Sequence, residues 1–143
     1  MRAKEIISRK LRQMKKYVDF LKSYKNIDKE KLQKNYELKS AIERNLELAL
    51  ESMLDVGEVI ISKEGFEKPE DYKGVILTLG KEGVLSKEFA EKLAPAASLR
   101  NILVHMYAEV DIDKICKFLR EKLGDFDDFA KQIARYLMEE ESA

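Results

Sequence analysis

The segment Arg100-Asn101-Ile102-Leu103-Val104-His105-Met106-Tyr107 gathers a guanidinium, an amide, an imidazole and a phenol within eight positions. His105 is the sole histidine of the 143-residue chain, one imidazole able to take or give a proton near neutral pH. Arg100 offers a planar fork of donors shaped for phosphate. Together they point to chemistry on a phosphodiester without a metal. The plainer alternative is that His105 complements the dipole of a helix C-terminus, Arg100 joins a surface ion pair and Asn101 bonds local backbone.

These groups need a helix to hold them. At about 100° per residue, Leu99, Ile102, Leu103 and Met106 share an arc roughly 100° wide, which is expected to face the core. Arg100, Asn101, His105 and Tyr107 then point away from it. Asn101 and His105 are i,i+4 neighbours able to touch, and Tyr107 joins Arg100's side only if the helix persists that far.

The rest of the chain reads as further helices. Residues 3–24 place Ile6, Ile7, Leu11, Met14, Val18 and Leu21 on one stripe. Asp28 caps a long second helix over about 29–62, seamed by Leu38, Ile42, Leu46, Leu50, Met53, Val56 and Ile60. Gly65 and Pro69 mark a loop from Ser62 to Tyr72, and a short helix over 72–79 closes at Gly80 and Gly83. Ser86 caps a segment reaching His105, kinked or restarted at Pro95. Asp111 opens a helix to Leu123, and Gly124-Asp125 separates it from a last helix ending near Glu139. With neither strand-like alternation nor internal repeats, the expected fold is all-α. It is an antiparallel bundle of four main helices with short extra ones, a single domain over 1–143 with a loop-rich excursion at 62–86.

Composition narrows the classes. Apolar residues at 45% and charged ones at 38% describe a helical globular protein, not a disordered one. The lone cysteine, Cys116, leaves no internal disulfide and fits a reducing cytoplasm; its place beside Ile112, Ile115 and Leu119 makes it a core residue. No apolar run approaches the roughly 20 residues needed to span a bilayer, and the basic N-terminus lacks a signal-peptide core. A cytoplasmic protein without membrane association is expected. The zero net charge hides an asymmetry: residues 1–34 carry 12 Lys and Arg against 4 Asp and Glu. That third could guide an RNA backbone, or be a solvated lysine-rich face. Arg44, Glu51, Asp55 and Glu58 form a polar stripe, either a cleft wall orienting Arg100 through a carboxylate such as Asp55, or an ion-paired outer face. No spacing resembles a zinc, calcium or nucleotide-phosphate site, so no cofactor is expected.

The run Arg100-Asn101, Leu103-Val104-His105, Tyr107 and Val110-Asp111 resembles the signature of HepT-like toxins of the HEPN superfamily, in which such a run ends one bundle helix and an Asp-initiated helix follows. Glu43-Arg44 and Met53-Leu54-Asp55-Val56-Gly57 on the long helix, and Phe126, Phe129 and Ile133 near the end, are similar in character. The likeness is weakest over 62–86, and the motif is intact. The resemblance implies a homodimeric, metal-independent endoribonuclease with Arg100 and His105 as the catalytic pair at the dimer interface. Asn101 would be a supporting polar group. It further implies a cognate MntA-like minimal nucleotidyltransferase antitoxin that transfers AMP to Tyr107, with RNA, whether tRNA or mRNA, as substrate. The alternative from the same superfamily is a noncatalytic helical module that binds a nucleotidyltransferase or a nucleotide.

The chemistry is consistent with that implication. RNA cleaves through its own 2′-hydroxyl when one group removes that proton and another protonates the departing 5′-oxygen. One chain has one imidazole, but a two-fold interface repeats every residue across its axis and so supplies two. Arg100 would offset the charge growing on the phosphorane.

Overall fold

The structure, a computed structural model, describes residues 2–105 and 111–142, and of His105 the backbone alone. Tyr107, Met106 and Val110 lie outside the described residues. Among those described there are eight helices and no strand: α1 (Arg2–Lys22), α2 (Lys29–Lys34), α3 (Tyr36–Glu64), α4 (Tyr72–Lys81), α5 (Lys87–Leu93), α6 (Ala96–His105), α7 (Ile112–Glu121) and α8 (Leu123–Ser142).

The stripe of α1 seats Ile7, Met14, Val18 and Leu21 against α3, whose own seam of Ile42, Leu46, Leu50, Met53, Val56 and Ile60 is buried throughout. This pair is the spine of the bundle. Lys4 pairs with Glu141 and Lys22 with Asp127, so α1 and α8 run antiparallel along the spine. Lys10, Lys15 and Lys29 pair with Asp55, Asp19 and Asp113. The basic N-terminal third is thus partly matched by carboxylates from later helices, each exposed pair worth about 0–1 kcal/mol. Lys4, Lys10, Lys22 and Lys29 stitch helices together, whereas the Lys15–Asp19 pair lies within α1. The exposed Arg9, Arg12 and Lys16 have no such pair among the described residues. Cys116 is buried on α7 as expected, and burial raises its thiol pKa.

Several boundaries differ from the sequence reading. The expected helix over 29–62 is broken at Asn35, where an extended backbone (φ −116°, ψ 91°) ends α2. The Asn35 side chain accepts a hydrogen bond from the Leu38 amide at 3.0 Å, so it also starts α3. The loop-rich excursion shrinks because Asp71 caps α4 by accepting from the Gly74 amide at 2.7 Å. Gly80 does not end that helix: it lies inside α4, where a Cβ would come within 2.5 Å of the Ala90 Cβ of α5. Gly57 serves the same purpose on α3, since a Cβ there would stand 2.6 Å from a Val75 methyl. These two glycines let α4 nest between α3 and α5. Pro95 does restart the chain, separating α5 from α6. Gly124 is no break, because α8 already begins at Leu123 and the junction falls at Lys122.

Candidate functional site

Arg100 enters the site from α6, Glu51 from α3 and Tyr72 from the first turn of α4. The Arg100 guanidinium donates from Nη2 to the Glu51 carboxylate at 3.1 Å and from Nη1 to the Asn101 side-chain oxygen at 3.2 Å. It also lies over the Tyr72 ring, 4.6 Å from the centroid, within cation–π range. Three neighbours of different chemistry therefore hold one guanidinium. Its Nε is buried without a hydrogen-bond partner among the described residues. A donor held dry and unmatched beside an ion pair favours an arriving acceptor.

This placement corrects the expected orientation of the motif helix. Ile102 was expected in the core but is 47% exposed, whereas the Arg100 side chain is only 17% exposed. Leu103 is buried and Leu99 packs against the core as expected, but Ala97 and Arg100 complete the inward arc of α6 in place of Ile102, so the arc is turned from the one read off the sequence. Small Ala96 and Ala97 leave room for Arg100 to approach α3, and Glu51 supplies the counter-charge that burial of a guanidinium requires. Asn101 is exposed as expected. The backbone of His105 is helical, one turn after Asn101. Its side chain and Tyr107 lie outside the described residues; of the quartet, the described side chains are those of Arg100 and Asn101.

The polar stripe on α3 resolves into separate roles. Glu51, not Asp55, faces Arg100; Asp55 pairs instead with Lys10 of α1 at 3.1 Å. Arg44 makes an intrahelical pair with Glu47. Tyr72 carried no functional expectation, and only its position just after the Asp71 cap hinted that its ring would be held firmly.

The site opens into a groove of about 1080 Å³ whose walls include Glu58 and Ser62 of α3, Phe66, Tyr72, Arg100 and Asn101. Gly65 creates its far wall. With φ 71° it caps α3, its amide and that of Phe66 returning to the Ile61 carbonyl, and so it turns Phe66 towards the groove. Among the described residues no three His, Cys, Asp or Glu side chains cluster as metal ligands would. None of the described helices is long and apolar enough to cross a membrane.

An all-helical bundle that carries an Arg-Asn pair and a following His on one helix agrees with the resemblance drawn from the sequence. A solved structure of a tri-AMPylated Shewanella oneidensis HEPN toxin in complex with an MNT antitoxin has the same fold. Its TM-score is 0.81 at 22% identity, covering 91% of this chain and 97% of that one. The family model for ribonuclease HepT-like proteins matches residues 14–133. The chain is 31% identical to the tRNA nuclease HepT of Aphanizomenon flos-aquae, over 96% of this chain and 95% of that protein. It is 22% identical to the mRNA nuclease HepT of Shewanella oneidensis, over 71% of this chain and 77% of the other. The chain belongs to the HepT-like ribonuclease family.

Proposed function

We propose that this chain is the toxin of a HEPN and minimal-nucleotidyltransferase pair, a homodimeric endoribonuclease that cleaves RNA without a metal. Arg100 and His105 carry the reaction. The observation that supports this best is the clamp on Arg100, which fixes a cation at the mouth of a groove on the same helix as the chain's single histidine, five residues before it. A guanidinium preorganised in this way stabilises charge that develops on a phosphorane without reorganising during the step. The names of the two HepT relatives support RNA as substrate, and the one aligned over nearly the whole chain makes tRNA the substrate to try first.

In the reaction, a base takes the proton of the 2′-hydroxyl and the 2′-oxygen attacks phosphorus. The 5′-oxygen leaves with a proton from an acid, giving a 2′,3′-cyclic phosphate and a 5′-hydroxyl. His105 and its symmetry mate divide these proton transfers. Exposed Ile102 (47%) and Val104 (37%) flank this part of α6, and apolar side chains in that position suit burial against a second copy.

Regulation follows from Tyr107 as the acceptor of AMP from an MntA-like antitoxin. The adenylyl group brings a phosphodiester charge that competes for Arg100 and a purine that obstructs the groove. The supporting relative is the AMPylated toxin already described, in complex with its antitoxin.

The test is cleavage of total tRNA by the wild type, His105→Ala and Arg100→Ala. Loss of cleavage in the first variant and near-loss in the second is expected; full activity of His105→Ala overturns the mechanism. Intact-mass analysis after incubation with the antitoxin and ATP is expected to place adenylate on a Tyr107 peptide.

A further inference from the structure

Beyond Arg100 the groove has a composition of its own. Phe66 and Tyr72 line it, and Glu58, Glu70 and Asp71 stand against Lys68 and Arg100. The charge of Arg100 is already met by Glu51, so the groove as a whole is not cationic. A phosphate would be drawn to Arg100 at one end and repelled from the rest. A neutral, flat, donor-bearing group would be accepted.

We propose that this groove is a nucleobase subsite that takes the base next to the phosphate held by Arg100 and selects bases with an exocyclic amino group. The space, about 1080 Å³, slightly exceeds the roughly 300–1,000 Å³ range of ligand pockets and is ample for one nucleotide. Two aromatic side chains line it, Phe66 and Tyr72, the latter with one ring face taken by Arg100, and aromatic rings of this kind stack splayed-out bases. Arg100 covers the Tyr72 ring, so the cation that meets the phosphate and the aromatic that meets the base are in direct contact, on the scale of one nucleotide.

The carboxylates give the selectivity. Asp71 is committed to the α4 cap. Glu58 and Glu70 have no ion-pair partner among the described residues. An ionised carboxylate only accepts hydrogen bonds, so it favours the amino edges of adenine, cytosine and guanine. Uracil would bring two carbonyl oxygens towards it, with one N–H between them.

The inference rests on the nuclease reading only in calling the occupant an RNA base, and the test separates the two. Saturation-transfer NMR is run with adenosine, cytidine and uridine on the wild type, Glu58→Ala and Phe66→Leu, alongside cleavage of short RNAs varied at the nucleotides flanking the cut. Adenosine and cytidine are expected to bind at least about fivefold better than uridine. Glu58→Ala should level the three and flatten the base preference at one flanking position, while Phe66→Leu weakens all of them without reordering them. Selective nucleoside binding without RNA cleavage keeps the subsite and removes the nuclease reading. Cleavage with equal or absent nucleoside binding, or with a base preference untouched by Glu58→Ala, overturns the subsite and leaves the nuclease standing.

Discussion

Replacing Glu51 by Ala removes the carboxylate that holds the Arg100 guanidinium while leaving the cation in place. The two side chains are 31% and 17% exposed, and they meet through one charge-assisted hydrogen bond of 3.1 Å. That depth lies between an exposed pair, worth about 0–1 kcal/mol, and a buried pair, whose breaking costs about 3–5 kcal/mol. A loss of about 1–2 kcal/mol in stability is expected. If the same energy is what keeps the guanidinium aimed at the phosphorane, the chemical step slows by about 5- to 30-fold, at roughly 1.4 kcal/mol per factor of ten. The KM should change little, because Arg100 still attracts phosphate. Glu51→Gln retains an oxygen acceptor and should stay within about threefold of the wild-type rate. Single-turnover tRNA cleavage, with Tm measured on the same preparations, reads both effects. An Ala variant as fast as the wild type, or equal losses for Ala and Gln, would refute the positioning role.

Three further outcomes follow from particular contacts. Ile102→Asp, at an exposed apolar position on α6, should weaken self-association by at least about tenfold by light scattering and lower cleavage in parallel; unchanged association removes this face from the interface. Gly80→Ala should cost about 1–3 kcal/mol in denaturant unfolding, because overpacking against Ala90 outweighs the gain of about 1 kcal/mol in helix propensity; a more stable variant would show that α5 moves aside freely. Tyr136 donates to Glu64 at 2.5 Å, and its phenol pKa is raised by burial and by that carboxylate. The folded state therefore keeps a proton that unfolded tyrosines lose near pH 10, so this stabilisation is whole below that pH and fades above it. The Tm advantage of the wild type over Tyr136→Phe should narrow as pH rises past 10, and a constant gap would contradict that linkage.

The same contact has an acid limb. The Tyr136 hydrogen bond, and a second one shared with Glu140, hold Glu64 below the usual carboxylate range, whereas Glu140 is raised by sharing that bond. A depressed carboxyl stabilises the fold above its unfolded pKa and loses that contribution as pH falls through the folded value. This contribution ties the end of α3 to α8 and survives into moderately acidic solution.

The bundle was legible because its long helices carry unbroken apolar stripes, and Leu46, Met53 and Ile60 had only one face on which to be buried. Caps at Asp28, Ser86 and Asp111 were equally plain, since each has a side-chain acceptor just before a periodic run. Asn35 was missed because an amide in the middle of a polar stretch costs a solvent-facing helix little, and its capping of the Leu38 amide is visible only in the structure. The rotation of α6 was misread for a related reason. A hydrophobic arc assigns Arg to solvent, and nothing in α6 itself announces that Glu51, 49 residues earlier, neutralises it. Asp55 looked as good a partner as Glu51, until α1 brought Lys10 to it. Choices between carboxylates on one helix are settled by what the other helices carry.

The most direct measurement is end-group analysis of tRNA incubated with the purified wild-type protein in excess EDTA, read at the new 3′ ends. Cleavage ending in 2′,3′-cyclic phosphate, and absent from His105→Ala, is the predicted result. No cleavage in EDTA with full activity on adding a divalent ion, or 3′-hydroxyl ends, would contradict a metal-free attack by the 2′-oxygen at the Arg100 and His105 site.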